Sequence, residues 1–248
     1  MSRNFDLMQE MERDQAFHSN RMVEPVFPTP GEDRNGDTHR RVASDLTLGL
    51  VQRIFQQQTK EPPRMVVFAG IDHGNGCSQI AASVAESLAG NAPGAVCLVE
   101  ANFRSPALPT MLGTTNYHGL TDALLEQGPI RSFIKPVCNE SLWLLSSGPL
   151  AADSPNLLTS ERMKALSAEL RKEFDFVIVD TPPLTRYADA IVLGQLSDGI
   201  VLVLEANSTR REAALAAAES LRSSGIKIIG AVLNKRTFPI PEGIYSKL

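Results

Sequence analysis

Cysteine is scarce in this chain of 248 residues: Cys77, Cys97 and Cys138 stand far apart. Three scattered thiols build no disulfide framework and read as a reduced protein. Basic charge is not in excess either, with 24 Lys+Arg against 28 Asp+Glu and a formal net charge of −4. A mildly acidic chain does not capture nucleic acid by bulk electrostatics, which relies on basic patches. No apolar run approaches the roughly 20 residues that cross a bilayer. The opening MSRNFDLMQEMERDQ has no apolar signal core, so export is not expected. These absences predict a cytoplasmic protein with no membrane span, reaching a membrane only through a partner. Internal repeats are absent too.

What is present is an ordinary globular composition, 43% apolar and 21% charged, against typical values of about 45–50% and about 25%. That excludes wholesale disorder. Residues 1–40 stand apart, with five basic and eight acidic residues and Pro25, Pro28, Pro30 and Gly31 as breakers. Phe5, Met8 and Met11 recur at helical spacing, so residues 3–17 can form a short amphipathic helix. Such a stripe needs a partner to cover it, because a short helix cannot bury it alone. A solvated, frayed terminus is the competing reading. Residues 18–40 then read as a linker, and residues 237–248 as a tail.

From residue 41 to 236 the pattern becomes regular. A helix is expected over 42–55, with Leu46, Leu50 and Ile54 on one face. Apolar strand runs at 65–69, 95–99, 142–145, 176–179, 199–204 and 227–233 alternate with helices at 78–88, 160–172, 189–196 and 208–223. Near-continuous apolar strands separated by helices indicate a parallel sheet covered on both faces. Right-handed crossovers make this a single doubly wound α/β domain.

Ligands of such sheets bind at the carboxyl ends of the strands. The first strand runs into Gly70-Ile71-Asp72-His73-Gly74-Asn75-Gly76-Cys77-Ser78-Gln79 and then a helix. A strand, a glycine-rich turn and a helix N-terminus form a phosphate cradle: Gly74 and Gly76 let the backbone approach an anion, and free N–H groups point at it. Ser78 stands where a P-loop hydroxyl ligates Mg²⁺, but Cys77 occupies the place of the P-loop lysine. A P-loop without its cationic clamp and a plain βα turn without a nucleotide both fit this segment.

Other strand ends bear on the choice. One strand ends at Glu100, followed by Ala101-Asn102-Phe103-Arg104. Another ends at Asp180, followed by Thr181-Pro182-Pro183, with Asp189 in the next turn. A strand-end carboxylate such as Asp180 suits a water-mediated contact to Mg²⁺, although a helix cap is an equally common use. The last strand ends at Asn234, whose amide can read a base edge.

From about residue 41 to 236 the chain resembles the deviant-Walker P-loop ATPases, and among them the bacterial tyrosine kinases (BY-kinases) of capsule and exopolysaccharide synthesis. The matching stretches are GNGCSQIAASVAESLA, CLVEANFRSPALPTMLG, GLTDALL, LWLLSSGPLAADSPNLLTSERMKAL, FDFVIVDTPPLTRYADA and GAVLN. SSGPLAADSPNLLTSERMKAL is the most specific of them. The opening MSRNFDLMQEMER resembles the N-terminal helix of exosortase-associated members. The resemblance implies an ATP site holding Mg²⁺, with Gly74, Asn75, Gly76, Cys77, Ser78 and Gln79 binding phosphates and Asn234 facing adenine. It implies Ser78 and Asp180 as metal ligands, Asp180 and Glu100 as the catalytic acids, and a membrane polysaccharide co-polymerase as partner. It also brings homo-oligomerisation into view.

The departures from the family pattern cluster at those same positions. Cys77 replaces the P-loop lysine, Gln79 a small hydroxyl residue, and Asp72 lies where partitioning ATPases carry a second lysine. Glu100 and Asn102 replace two aspartates. The oligomerisation motif E-x-x-R-x-x-R reads Ser-Asp-Leu-Thr-Leu-Gly-Leu, and the tyrosine-rich tail shrinks to Tyr245. Losing one preorganised donor commonly costs about 10²–10³ in rate. The expectation is therefore a regulatory, pseudokinase-like protein with weakened ATP and Mg²⁺ binding and little or no turnover. Arg104, Arg186 and Lys235 are candidate substitute cations. An active autokinase or slow ATPase using such substitutes, and a partitioning-type ATPase, are the alternatives. A reactive Cys77 thiol beside His73 is a further one, since a helix N-terminus lowers a thiol pKa. His18, His39 and His118 read as solvated loop residues, and Trp143 as core.

Overall fold

The structure, a computed structural model, describes residues 36–55, 61–126, 128–138, 141–149 and 154–236. The helix expected over 3–17 and the tail with Tyr245 lie outside the described residues. Seven strands form the sheet: β1 (Met65–Gly70), β2 (Val96–Glu100), β3 (Lys135–Cys138), β4 (Leu142–Leu145), β5 (Phe176–Thr181), β6 (Gly199–Glu205) and β7 (Ile228–Asn234). Their spatial order is β3-β4-β2-β5-β1-β6-β7. Every neighbouring pair is parallel except β3–β4. The helices are α1 (Gly36–Phe55), α2 (Cys77–Asn91), α3 (Leu108–Met111), α4 (Leu120–Leu125), α5 (Ser154–Leu157), α6 (Glu161–Glu173), α7 (Asp189–Gly194) and α8 (Arg211–Ser223).

The central strands are apolar up to their carboxyl ends because both faces are covered. In β1 every residue of MVVFAG is buried. Alternate side chains divide between the two layers, as the period of two requires. Met65, Val67 and Ala69 pack with Leu166 and Leu170 of α6 and Leu221 of α8. Val66 and Phe68 pack with Leu50 and Ile54 of α1 and with Ile80 and Val84 of α2. Each fully buried aliphatic side chain contributes about 1.5–3 kcal/mol. Phe55 closes α1 against Phe176, edge to face at 5.6 Å.

Two differences from the sequence reading have local causes. The helix expected from residue 42 already begins at Gly36, so the end of the expected linker is helical. β3 was not expected, because Pro136 argues against a strand. It is tolerated since β3 lies at the sheet edge, where a missing N–H costs least. The pairing of β3 with β4 also slips in register between Pro136 and Cys138.

At the amino ends of the strands, Asp198 laces the sheet together. Its Oδ2 accepts from the backbone N–H groups of Arg64 at 2.7 Å and Met65 at 2.8 Å. Arg171 of α6 donates to both carboxylate oxygens. Burial works against the charge, but the Arg171 bonds, the two amides and the Arg171 charge together hold the carboxyl below its ordinary range. The opposite, carboxyl ends are left free for the site.

Candidate functional site

β1 delivers the chain into the loop Ile71–Gly76, and α2 begins immediately after it. Gly74 and Gly76 have φ of 86° and 81°, left-handed values that glycine adopts without strain. A Cβ on Gly76 would also overlap Asn234 Nδ2. Between them Asn75 is buried and fully engaged. Its Oδ1 accepts from the Asp72 N–H at 2.7 Å, its Nδ2 donates to Thr209 Oγ1 at 3.0 Å, and its carbonyl accepts from Asn234 Nδ2 at 2.8 Å. The loop therefore has a fixed shape, and α2 starts at the cleft with no side chain capping its first turn, an arrangement that suits an anion.

Ser78 Oγ donates to Asp180 Oδ2 at 2.5 Å. Glu100 and Asp180 lie opposite one another on β2 and β5, and both are fully buried. Glu100 Oε2 accepts from the N–H groups of Ala107 at 2.9 Å and Leu108 at 2.7 Å, capping the turn into α3. Glu100 Oε1 and Asp180 Oδ1 are buried without a donor. Burial raises both carboxyls, and the neighbouring Asp180 charge raises Glu100 further. Of the two, Glu100 is pushed further toward its neutral form.

An orphaned carboxylate oxygen beside a serine hydroxyl at a helix N-terminus fits a hard cation. Mg²⁺ typically takes one or two carboxylates and completes its shell with water and phosphate oxygens. Ser78 and Asp180 supply that partial set. Among the described residues no cluster of three or more His, Cys, Asp or Glu side chains could hold a metal by itself.

This geometry has relatives. The ParA family, described as NUBPL iron-transfer P-loop NTPase, matches residues 64–245. The tyrosine-protein kinase YwqD of Bacillus subtilis (strain 168) is 32% identical over 209 residues, 84% of each chain. The chain belongs to the BY-kinases. They form a branch of the ParA-like P-loop NTPases and serve capsule and exopolysaccharide biosynthesis. The fold agrees: the chimerical protein CapA2B2 superposes with a TM-score of 0.81 at 22% identity, covering 93% of this chain and 100% of that one. The kinase domain of Escherichia coli tyrosine kinase ETK gives 0.79 at 18% identity, covering 94% and 96%.

Within this BY-kinase fold, the departures can be placed. The cleft at the loop has a volume of about 260 Å³. Asp72 to Gln79 line it, together with Asn102, Ser105, Met111 and Pro183. No lysine or arginine among the described residues lines it. Cys77, the residue expected in the place of the P-loop lysine, is half-buried and lines the cleft. Burial of its sulfur, and then the Asp180 charge, push the thiol well above its ordinary pKa. That direction favours the neutral thiol over the thiolate. Asp72, at the cleft rim, accepts from Thr185 Oγ1 at 3.1 Å.

The three candidate cations go elsewhere. Arg104 is ion-paired with Asp189, and its guanidinium lies 3.9 Å from the centre of the Tyr187 ring. Arg186 is exposed on the turn beyond Pro183. Lys235 Nζ donates to the Gly74 carbonyl at 2.7 Å, and Lys235 is not among the residues lining the cleft. Asn234 is buried, with its Nδ2 on Asn75 and its Oδ1 accepting the Lys235 N–H at 2.8 Å.

Sequence reasoning missed Thr209, Thr185 and the role of SSGP. Ser146 and Ser147 carbonyls accept the N–H groups of Leu120 and Thr121 at 2.7 and 2.9 Å, and Asn116 Oδ1 accepts the Gly148 N–H at 2.9 Å. A Cβ on Gly119 would overlap the Ser146 carbonyl. The family-specific stretch is thus a clip that holds the start of α4 to the end of β4. Trp143 is half-buried against the core, with the Arg131 guanidinium 4.8 Å above its ring. Neither locus has a periodicity that would have announced it.

Proposed function

We propose that this BY-kinase relative works by docking, as a regulatory protein of exopolysaccharide or capsule assembly, with weak nucleotide binding and little or no ATP hydrolysis or tyrosine phosphorylation. The observation that carries this reading is the cleft lining: Cys77 stands there where the family resemblance implies a lysine, and no lysine or arginine among the described residues lines the cleft. Phosphoryl transfer depends almost wholly on positioning and on charge placed around the transferring group. A charge-assisted hydrogen bond contributes about 1.5–3 kcal/mol, and a lost transition-state donor costs about 10²–10³ in rate. The aspartate on the rim adds repulsion where partitioning ATPases place a lysine.

Binding is expected to survive better than turnover. The loop amides from Gly74 to Ser78 would cradle phosphates, and Gln79 stands at the exposed mouth. Ser78 and Asp180 would hold Mg²⁺, which when bound neutralises phosphate charge. Glu100, pushed by burial toward its neutral form and tied to the start of α3, lies opposite Asp180 and is poorly suited to accept a proton from a hydroxyl nucleophile. Asn234, bonded at both ends of its amide, would face adenine only over the loop's own backbone.

The partner proposed is a membrane polysaccharide co-polymerase, as the family resemblance implies. It would bring a chain whose described helices are too short or too polar to cross a membrane to the inner membrane face. Self-association is proposed as secondary to that docking.

Titration of the full chain with Mg-ATP, followed by a phosphate-release assay, tests the reading. Affinity well below that of an active BY-kinase, with turnover at background, is the expected result. Steady turnover that Asp180→Ala abolishes would overturn it, and would favour an active kinase using substitute residues.

A further inference from the structure

We propose that Lys235 is a positioning residue for the phosphate loop, holding Gly74 to Gly76 in their anion-ready shape. The inference rests on the anion-binding reading of that loop, and it adds a residue to which the family motif gives no role.

The loop is irregular backbone at the mouth of a sheet, and its shape has to be imposed by contacts. Three side chains from the ends of β6 and β7 impose it. Thr209 holds the Asn75 amide, Asn234 holds the Asn75 carbonyl, and Lys235 holds the Gly74 carbonyl at 2.7 Å. Two of these ties are neutral and buried. The third is the charged one, and a charged donor makes a bond roughly twice as strong as a neutral pair.

The placement of Lys235 is itself constrained. Its φ is 56°, a left-handed value uncommon for a residue with a side chain, and its N–H is received by Asn234 Oδ1. From that turn the ammonium also reaches Glu205 Oε1 at 3.3 Å, across a half-exposed pair. Such an exposed pair contributes little by itself, so Glu205 chiefly aims the lysine. The ammonium lies on the carbonyl side of the Gly74–Asn75 peptide. It polarises that peptide, strengthening its N–H as a donor, as linked hydrogen bonds do. A cation on that carbonyl side thus supports the N–H cradle. It does not touch the cleft, whose lining contains neither lysine nor arginine among the described residues.

The test compares wild type, Lys235→Met, Lys235→Arg and Glu205→Gln as full-length proteins. Amide hydrogen exchange over residues 70–80 is followed without ligand, and Mg-ADP is titrated by calorimetry. In Lys235→Met the loop amides exchange about tenfold faster and Mg-ADP binds about tenfold more weakly, the scale of one charge-assisted bond, while the thermal midpoint stays close to wild type. Lys235→Arg restores both toward wild type, which a merely structural lysine would not require. Glu205→Gln changes affinity less than Lys235→Met does. Loop exchange in Lys235→Met equal to wild type, or unchanged Mg-ADP affinity, overturns the proposal. If the wild type itself binds no Mg-ADP, the nucleotide reading fails separately, and the exchange data alone decide the role of Lys235.

Discussion

The hydroxyl of Ser78 and the carboxylate of Asp180 meet at 2.5 Å although 102 positions separate them in the chain. The pair joins the first turn of α2 to the end of β5. A lysine at position 77 would carry its charge beyond Asp180 into the cradle, whereas the shorter thiol stops at it. Cys77→Lys is accordingly expected to tighten Mg-ADP binding by about 1.5–3 kcal/mol, the range for a hydrogen bond to a charged group, as read by calorimetry. No change would mean that the loop amides do not face the phosphates.

Cys77 should be a poor nucleophile. Its pKa is raised by burial and by Asp180, so the thiolate fraction at neutral pH lies below that of a free thiol, and the thiolate is the reactive form. Site-resolved alkylation at pH 8 is expected to be slower at Cys77 than at a free cysteine, and faster after Asp180→Asn. Cys97, pushed by burial to about 12, serves as an internal unreactive control. Rapid labelling of native Cys77 would support the thiol chemistry set aside above.

Glu100 contributes an inverted pH dependence. A carboxyl whose folded pKa is raised binds its proton more tightly in the folded chain than in the unfolded one. Stability from this source is therefore full below the unfolded value, about 4.3, and declines as pH rises toward the folded one. Glu100→Gln keeps an oxygen for the Ala107 and Leu108 amides without the ionisation. Urea denaturation should find it more stable than wild type at pH 8, with the difference shrinking toward pH 4.

Asp198 works in the opposite sense. Its folded pKa lies below its ordinary value, so its contribution is present above about pH 4 and is lost as pH falls through the lower, folded value. Asp198→Asn removes the charge that Arg171 faces and leaves two backbone donors less well served. A loss on the order of 1–3 kcal/mol at pH 7 is expected, with a flatter acid limb in the denaturation profile. Equal acid limbs for the two proteins would assign the lacing to other groups.

Gly76→Ala should deform the loop while leaving the sheet intact. The alanine would sit at φ 81° with its methyl group against Asn234 Nδ2. A cost of about 1–3 kcal/mol from the backbone alone is expected. Loop exchange should rise, and Mg-ADP affinity should fall more than global stability does.

Much of the layout was legible in the letters. MVVFAG and FVIV (residues 176–179) are apolar without interruption, which only a strand covered on both faces tolerates, and the glycines before Cys77 mark a tight strand-to-helix turn. β3 escaped because Pro136 is a strand breaker everywhere except at an edge, and edge position is not a local property. The clip made by Ser146 to Gly148 escaped for a related reason. It works through backbone carbonyls, which carry no residue-specific signal.

The expectation of a missing charge at position 77 rests on one residue, Cys77, read against the P-loop pattern. Where the remaining cations would go was not readable. Arg104 is neutralised by Asp189, 85 positions away, and Lys235 reaches Gly74 across 161. Asn234 likewise turned out to bind the loop itself at Asn75. Contacts of that span depend on which strand ends the crossovers bring side by side. Local periodicity dictates strands and helices, but packing chooses their neighbours, and a charged side chain goes to whatever partner lies within its reach.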